Sequence, residues 1–516
     1  MQNKTDSSSI IRRLHEEEPL VDAVVGQHDG STTTVPRKRF FILEPPVFLI
    51  YYAWYVSTAV LTDQIIYQAC TVSLGINQTE CALLGKEHES PEIKALEERV
   101  QPYSANIIMV QALMDSVLPA VLNLSIGPWS DKFGRKPVLL VTFSGLALSF
   151  GLISLISFLS DRYLLDPWFY VIAFVPTAIS GALSTILTSV YCYISDVTEE
   201  HERGNKMAVL EAVLYGGILV GSLSSSYILK WSDATTVFCV ATCAVLLSVL
   251  YILLIIRESV PISNVRRERW CCSKLAYLFR PQLILDTLKT TLSYRPNFNR
   301  TIILLGVVVM GGNIFAAGEL NLKWIVRICN LWTFFSEDAT VFFLFLRKHF
   351  NWSVRKYSFY ISAETIFIIF GNLLGTYYLQ KRLGFSESGI AAIGYFSYFL
   401  NSIAIAVAFK SWHLYFASAI CLLRGVADPM TRAYISNTAA PEDVGKIFAF
   451  LSSFETLMPL GAAPLYTVIY KATLVVYPGA FGWVSAAIFV GCYCLTMVVC
   501  VLQSMQRSPT SHESID

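Results

Sequence analysis

Apolar stretches long enough to cross a lipid bilayer recur along the whole chain, and they limit its possible folds more than any other feature. A helix needs about 20 apolar residues to cross the hydrocarbon core. By that measure the sequence contains twelve candidate spans, near residues 44–63, 104–126, 137–159, 167–194, 207–229, 234–256, 301–319, 357–379, 388–409, 412–437, 446–470 and 478–503. Charged residues make up 15% of the chain, against roughly 25% in soluble domains. The sequence therefore predicts an all-α integral membrane protein.

The charges between the spans indicate which side of the membrane each loop occupies. The longest internal link, 257–300, carries nine Lys or Arg against three acids, whereas the loop 64–103 carries three basic residues against six glutamates. Because basic loops stay in the cytoplasm, we expect the link, a disordered N-terminus 1–43 and the tail 504–516 to be cytoplasmic. The loop 64–103 is expected outside or in a lumen, where its sequon at Asn77 is a glycosylation site.

The link divides the spans into two halves, 44–256 and 301–503, which contain similar stretches. YISDVTEEHERGNKMAVLEA begins at Tyr193 and YISNTAAPEDVGKIFAFLSS begins at Tyr434. Both open with Tyr-Ile-Ser, reach a glycine at the same offset, then a lysine, then a new span. Repeated halves around a midplane site are the architecture of secondary transporters.

A polar stretch, GPWSDKFGRK, begins at Gly127 between the second and third spans. Gly127 allows close helix approach, and Gly134 allows a tight turn. Asp131 is expected to hold either a helix N-terminus or an arginine of a neighbouring span. Arg135 and Lys136 are expected to meet anionic lipid.

The pattern G-x-x-x-D-[RK]-x-G-R-[RK] resembles the signature loop of the major facilitator superfamily. The matching residues are Gly127, Asp131, Lys132, Gly134, Arg135 and Lys136. The resemblance implies a twelve-helix major facilitator fold of two pseudo-symmetric six-helix halves, in which this loop is a gate that closes the cytoplasmic side. The alternative is a solvated basic loop that only orients the protein.

Within the superfamily the chain resembles the branch of solute carriers that includes the proton-coupled folate transporter and the thymic stromal cotransporter. The stretches that carry this resemblance are NQT followed by Cys81, GPWSDKFGRKP, YISDV leading to MAVLEA, and PMTRA at 429–433. The branch implies alternating access and proton-coupled symport of a small folate-like organic anion, in the plasma membrane or an endolysosomal membrane. Its partners would be the anion, protons and the lipid bilayer, and its driving force the proton gradient, with no cofactor.

Glu211 is the candidate proton carrier. On a helical wheel it shares a face with Tyr215, Ile218, Ser222 and Ser225, about one turn into the fifth span, which predicts that it faces a polar cavity. A carboxyl there can take up and release a proton, and the matching glutamate of the branch is linked to proton coupling. The alternative is a structural carboxyl near the helix end. Two glycines of the same span, Gly217 and Gly221, predict a seam of close helix packing.

The tenth span supplies the opposite charge. Arg424, Asp428 and Arg432 follow at i, i+4 and i+8 on one face, with Pro429 interrupting the backbone between them. This spacing predicts one uncompensated arginine. The resemblance assigns substrate and proton binding to Arg432, whose guanidinium suits a carboxylate; the alternative is an arginine that reaches to the cytoplasmic interface. Further intramembrane acids, expected to form interhelix hydrogen bonds rather than second proton sites, are Asp115, Glu364 and Glu455.

Several positions depart from the branch. Polar residues tied there to folate transport are replaced near Ala182 and Ala316, which weakens the case for folate itself. Folates and antifolates stay first among the expected substrates, followed by muropeptides or cyclic dinucleotides. The position of the cysteine that would bridge to Cys81 reads FNWS, with a second sequon at Asn351, so Cys81 either pairs with Cys70 or stays free. Residues 320–337 are too polar for a span, and we interpret them as an inserted segment.

Other classes of function find no motif in the chain. It contains neither G-x-x-x-x-G-K-[ST] of an ATP-driven pump nor G-x-S-x-G of a hydrolase. Its cysteines lack the paired spacing of a zinc site, and a net charge of +1 gives no reason to expect nucleic acid as a partner. We therefore expect a monomeric transporter that is not an enzyme and holds no metal. A transporter-shaped receptor that binds its ligand without moving it remains the alternative.

Overall fold

The computed structural model describes residues 43–82, 91–160, 162–260, 277–278, 280–317, 354–473 and 479–507, together with residues 346, 350, 352 and 477. These residues form helices joined by loops, as the sequence predicts. The predictions for residues 1–42, the segment 320–337, Asn351 and residues 508–516 lie outside the described residues.

The first half begins at the first predicted span and ends just before the basic link. Its helices are α1 Glu44–Gln68, α2 Gln78–Cys81, α3 Pro91–Phe133, α4 Arg135–Ser160, α5 Phe169–Ala173, α6 Val175–Ser180, α7 Ala182–Val197, α8 Glu200–Trp231 and α9 Ala234–Ile255. A π-helical turn, Ala69–Ser73, extends α1.

The second half is preceded by a helix within the basic link. The helices are α10 Pro281–Leu292, α11 Asn299–Ala317, α12 Val354–Thr376, α13 Glu387–Ala406, α14 Ser411–Ile420, α15 Ala427–Thr438, α16 Val444–Thr473 and α17 Ala480–Arg507. A π-helical turn, Tyr377–Arg382, extends α12, and a 3-10 helix, Leu422–Val426, joins α14 to α15.

Nine helical segments in the described ranges are long and apolar enough, by length and composition, to cross a membrane. The helix α1, the broken pair α14 and α15, and α16 complete the twelve predicted spans. The prediction of an all-α membrane protein with twelve spans is therefore confirmed, and the protein is a multi-pass membrane protein.

Two predicted spans are broken rather than continuous. In the span 167–194 the break falls ahead of Pro176, which has no N–H for the carbonyl of Ile172, and again at Gly181, whose φ of +96° is left-handed. In the span 412–437 the chain narrows to a 3-10 turn before Pro429, since this proline cannot donate to the carbonyl of Gly425. The break therefore lies before Pro429, and the helix is continuous from Asp428 to Arg432, where an interruption was predicted.

The two predicted glycines of α8 pack against α1. A Cβ atom at Gly217 would lie 2.7 Å from the carbonyl oxygen of Phe48, and one at Gly221 would lie 2.7 Å from that of Tyr52. The seam continues at Ser225, which is buried and donates to the carbonyl of Val56 at 2.8 Å. The prediction that Ser225 lines the cavity with Glu211 is therefore wrong, because Ser225 is on the packing side of α8. Ser222 is exposed.

The predicted internal repeat appears as contacts between equivalent residues of α7 and α15. Tyr191 and Arg432, two positions before the repeated Tyr-Ile-Ser, stack with 4.5 Å between the guanidinium carbon and the ring centroid. Ser195 and Ser436, two positions after its first residue, hydrogen-bond to each other. Because residues that meet their own counterparts lie on a symmetry axis, α7 and α15 flank the pseudo-twofold axis of the bundle.

The loop between α1 and α3 is closed by a covalent bond. Cys70 in the π-helical turn and Cys81 in α2 form a disulfide, with 5.9 Å between their Cα atoms. Both are buried against Ala69 and Val100. Asn77 is exposed between them, and its side chain accepts a hydrogen bond from the N–H of Thr79 at 3.3 Å. The sequon is thus on the surface of the described loop.

Candidate functional site

The predicted gating loop lies at one end of the bundle, which we call the loop face. Asp131 and Arg135 form an ion pair of 2.6 Å within the loop. Arg135 also contacts Asp196 at the end of α7, with 3.1 Å between Nε and Oδ2, and donates to Ser130 Oγ at 2.5 Å. Arg135 is only 2% exposed. The arginine therefore belongs to a buried network, and the prediction that it meets lipid is wrong.

The same network touches the second half through a glycine of α16. A Cβ atom at Gly445 would contact Asp131 Oδ1 and would lie 2.7 Å from Arg135 Nη1. A Cβ atom at Gly127 would lie 2.6 Å from both the Gly445 carbonyl oxygen and the Ala449 Cβ. Asp131 therefore lies at the first turn of α16, whose N–H groups favour negative charge. Both partners that the sequence left open for Asp131, a helix N-terminus and an arginine, are present.

The end of the gating loop is held by the link that follows α9. Gly134 adopts a φ of +106°, and the N–H groups of Arg135 and Lys136 donate to the carboxylate of Glu258 at 2.7 and 3.2 Å. The ammonium of Lys136 donates to the carbonyls of Leu253 and Ile256, so it caps the C-terminus of α9 instead of meeting lipid as predicted.

Lys132, the remaining basic residue of the gating loop, lies 4.2 Å from the ring centroid of Tyr277.

A second group of polar contacts crosses between the halves at the loop face. Arg203, in the first turn of α8, donates to Asn437 Oδ1 at 2.9 Å and to the carbonyl of Ser436 at 3.3 Å. Asn437 in turn donates to the carbonyl of Glu200 at 3.1 Å and to Glu387 at 2.8 Å. With the Ser195–Ser436 hydrogen bond, these contacts join the halves at this end of the bundle.

Glu211 lies deeper in the bundle than the sequence predicts. The helix α8 begins at Glu200, so Glu211 is about three turns along it rather than one. Its carboxylate is buried and accepts a hydrogen bond from the hydroxyl of Tyr191. Tyr215, one turn further, interacts electrostatically with both Glu211 and Asp428. The predicted face of α8 therefore turns inward at its Glu211 end.

Arg432 is paired with an acid that the sequence did not assign to it. Its Nη2 atom lies 2.9 and 3.0 Å from the two carboxylate oxygens of Glu455 on α16. The guanidinium stacks on the ring of Tyr191 and is 5% exposed. Reaching to the interface, the alternative for this arginine, does not occur in this structure. Its Nε and Nη1 atoms are buried and have no acceptor in the described part of the chain.

The other arginine of the predicted pair faces a different partner. Because Arg424 lies on the 3-10 turn, its side chain turns to α12 and meets Glu364 at 2.6 Å. Asp428 accepts from the amide of Asn313 on α11 at 2.5 Å. The prediction of one uncompensated arginine is thus wrong, since each arginine has its own glutamate and Asp428 pairs with neither.

The interior of the bundle consequently holds more acid than base. Two guanidinium groups face four carboxyl groups, namely Glu211, Glu364, Asp428 and Glu455. Sequence reasoning named all four acids but missed Tyr191 and Asn313 as their partners. The repeat could have indicated Tyr191, because it is the equivalent of Arg432. No group of three or more His, Cys, Asp or Glu in the described ranges could hold a metal ion.

The chain matches one protein family over most of its length. A model of that family, described as the Major Facilitator Superfamily, matches residues 47–457. The chain belongs to the Major Facilitator Superfamily. As a member of this superfamily it is a membrane transporter and not an enzyme.

Relatives place the chain near the solute carriers of the SLC46 type. The Drosophila melanogaster protein named "Probable peptidoglycan muropeptide transporter SLC46" is 29% identical over 457 residues, which cover 87% of this chain and 83% of the relative. The proton-coupled folate transporter of Rattus norvegicus is 23% identical over 436 residues, 84% and 86% of the two chains. The human organic anion transporter MFSD10 has the same fold, with a TM-score of 0.62 at 13% identity over 88% of this chain and 98% of that one.

Proposed function

We propose that this superfamily transporter is a proton-coupled symporter of a small organic anion. The observation that carries the proposal is the buried guanidinium of Arg432, which lies between the halves with two nitrogens that no described residue accepts from. Buried polar atoms without partners are rare in folded proteins, and a cation in such a place fits a carboxylate or phosphate ligand. The carboxyl groups of Glu211, Asp428 and Glu455, which interact with this guanidinium, provide places for the coupled protons.

The contacts at the loop face support alternating access. The Asp131–Arg135 network and the Arg203–Asn437 contacts join the halves at one end of the bundle. A ligand at Arg432 reaches that side only when these contacts break. We take the loop face to be cytoplasmic, since the basic link is there, and both termini with it. The protein would then reside, as a monomer, in the plasma membrane or an endolysosomal membrane, glycosylated at Asn77.

Muropeptides come before folates among the candidate substrates. The relative with a muropeptide name is 29% identical, and the folate transporter is 23% identical. Ala182 and Ala316, where the folate branch has polar side chains, are both buried and offer no polar group. Cyclic dinucleotides remain a further anionic candidate.

An uptake assay with a panel of candidate substrates tests the proposal. Cells that express the full chain would be assayed for uptake of radiolabelled muropeptide, folate and cyclic dinucleotide at about pH 5.5 and about pH 7.5. Saturable uptake that is larger at the lower pH and collapses with a protonophore is expected for at least one of them. Binding that saturates without accumulation would instead identify a receptor, and accumulation that survives the protonophore would remove the proton from the mechanism.

A further inference from the structure

The ion pair with Glu455 blocks both edges of the Arg432 guanidinium that could bind a substrate carboxylate at two points. A guanidinium binds a carboxylate at two points through neighbouring nitrogens, and each such edge includes the Nη2 atom. In Arg432 that atom is held by both oxygens of Glu455. The free Nε and Nη1 atoms do not share an edge. A substrate carboxylate therefore cannot bind at two points until Glu455 moves away.

We propose that protonation of Glu455 allows the anionic substrate to replace Glu455 as the partner of Arg432. The ionised carboxylate of Glu455 holds the arginine when substrate is absent, and the neutral acid, once it has taken a proton from the medium, releases the guanidinium to the carboxylate of the substrate. Glu455 is thus a positioning residue for anion binding. This inference rests on the proposed function, because it assumes an anionic substrate.

The surroundings of Glu455 support this role. Besides Arg432, the charged and titratable groups that act on it or respond to it are Glu211 on α8, Asp428 on α15 and Tyr51 on α1. A substrate anion would bring a fourth carboxylate to a guanidinium that already interacts with Glu455, Glu211 and Asp428. Since like charges repel in a medium of low dielectric constant, the site accepts the anion more readily when one of its acids is neutral.

Glu211 and Glu455 differ in what a proton would change. Glu211 is held by a neutral hydroxyl, that of Tyr191, and no ion pair joins it to Arg432 among the described contacts. Protonation of Glu211 would leave the Nη2 atom occupied, whereas protonation of Glu455 would free it. The Arg424–Glu364 pair is not equivalent, because Arg432 stacks on Tyr191 of the first half, whereas no such stacking of Arg424 is present among the described residues.

The test compares the pH dependence of substrate affinity in Glu455→Gln with that of the parent protein. The probe is a radiolabelled muropeptide, taken up by proteoliposomes that contain the full chain, at about pH 5.5 and about pH 7.5. If one proton must bind with each anion, the KM of the parent rises by up to about 100-fold over these two pH units. The KM of Glu455→Gln is expected to differ by no more than about twofold between the two pH values. The reason is that Arg432 has no carboxylate of residue 455 as a partner at either pH.

Two variants separate this role from a structural one. Glu455→Asp keeps a titratable group on α16, so it should keep a pH-dependent KM. Glu364→Gln removes the carboxylate from Arg424 and should also keep the pH dependence of the parent. If the KM of Glu455→Gln varies with pH as the parent's does, the inference is overturned while the proposed function stands.

A second measurement needs no substrate. Infrared difference spectra of the purified full chain, recorded on acidification, report carboxyl groups that take up a proton. A band present in the parent and in Glu364→Gln but missing in Glu455→Gln supports the inference, and an unchanged band overturns it. A parent that shows no saturable uptake of muropeptide, folate or cyclic dinucleotide would refute the proposed function instead, and with it the role of Glu455 in anion binding.

Discussion

Replacing Gly445 by alanine is expected to open the loop face. The added Cβ would meet Asp131 Oδ1 and would lie 2.7 Å from Arg135 Nη1, closer than non-bonded atoms approach. The side chain of Arg135 cannot simply turn away, because it is buried and is also held by Asp196, and Asp131 is paired with Arg135. Overpacking of this kind costs about 1–3 kcal/mol. Because the contact exists only while the halves are joined here, the joined state should lose population by about 5- to 150-fold.

The repeat supplies a matched control for this substitution. Gly204 is the equivalent of Gly445 in the first half, and a Cβ there would lie 3.2 Å from the amide nitrogen of Gln380 and from the end of Met430. Both are the ends of flexible side chains, which can shift by a few tenths of an ångström. Gly204→Ala should therefore leave the joined state nearly unchanged.

A reporter cysteine measures the effect. Ser436 is fully buried beside Ser195 in the joined state, so Ser436→Cys should react with a maleimide only when the loop face opens. In membrane vesicles the labelling of this cysteine should be faster with Gly445→Ala than with Gly204→Ala, after subtraction of labelling in proteins without the reporter. Equal labelling of the two would refute the steric argument, provided both variants reach the membrane in equal amounts.

Three further substitutions test the remaining assignments. Asp131→Asn removes the charge that pairs with Arg135 and faces α16 but keeps the shape, so maximal uptake should fall by roughly tenfold at normal surface expression, if the joined state loses about 1.4 kcal/mol; an unchanged maximal rate argues against a gate. Glu211→Gln has no proton to release, so if Glu211 carries a coupled proton in addition to that of Glu455, this variant should still exchange substrate across the membrane while concentrative uptake is lost; accumulation with the parent's pH dependence would make Glu211 structural. Asn77→Gln should migrate at lower mass on gels, as does the parent after glycosidase treatment, and an unshifted band would show that the sequon is unused.

The fold could be predicted from the sequence because each span can be recognised from its own residues alone. About 20 apolar residues in a row predict a membrane helix whatever surrounds them, and all twelve were found at their predicted places. The breaks were harder to predict. Pro429 marked the tenth span, but the backbone departs from the α-helix at the residues before it, because a proline disrupts the turn on its N-terminal side.

The pairing of charges could not be read from the sequence, because it depends on how helices rotate and pack. The spacing of Arg424, Asp428 and Arg432 predicted one face, but the 3-10 turn directs Arg424 to Glu364. Ser225 was assigned to the cavity from a straight helical wheel, yet it continues the glycine seam toward α1. Local pattern fixes which residues lie within the bundle, and tertiary packing decides which of them meet.

The contact of Tyr191 with Arg432 on the pseudo-twofold axis shows why the two halves could not remain identical. A chain with the same residue at both positions would place either two guanidiniums or two phenol rings face to face. Two cations at that distance repel, and two phenols offer no charge for an anion. A tyrosine in the first half is what permits an arginine in the second. Under the proposed function, an anion at this axis would therefore find its cation in the second half only.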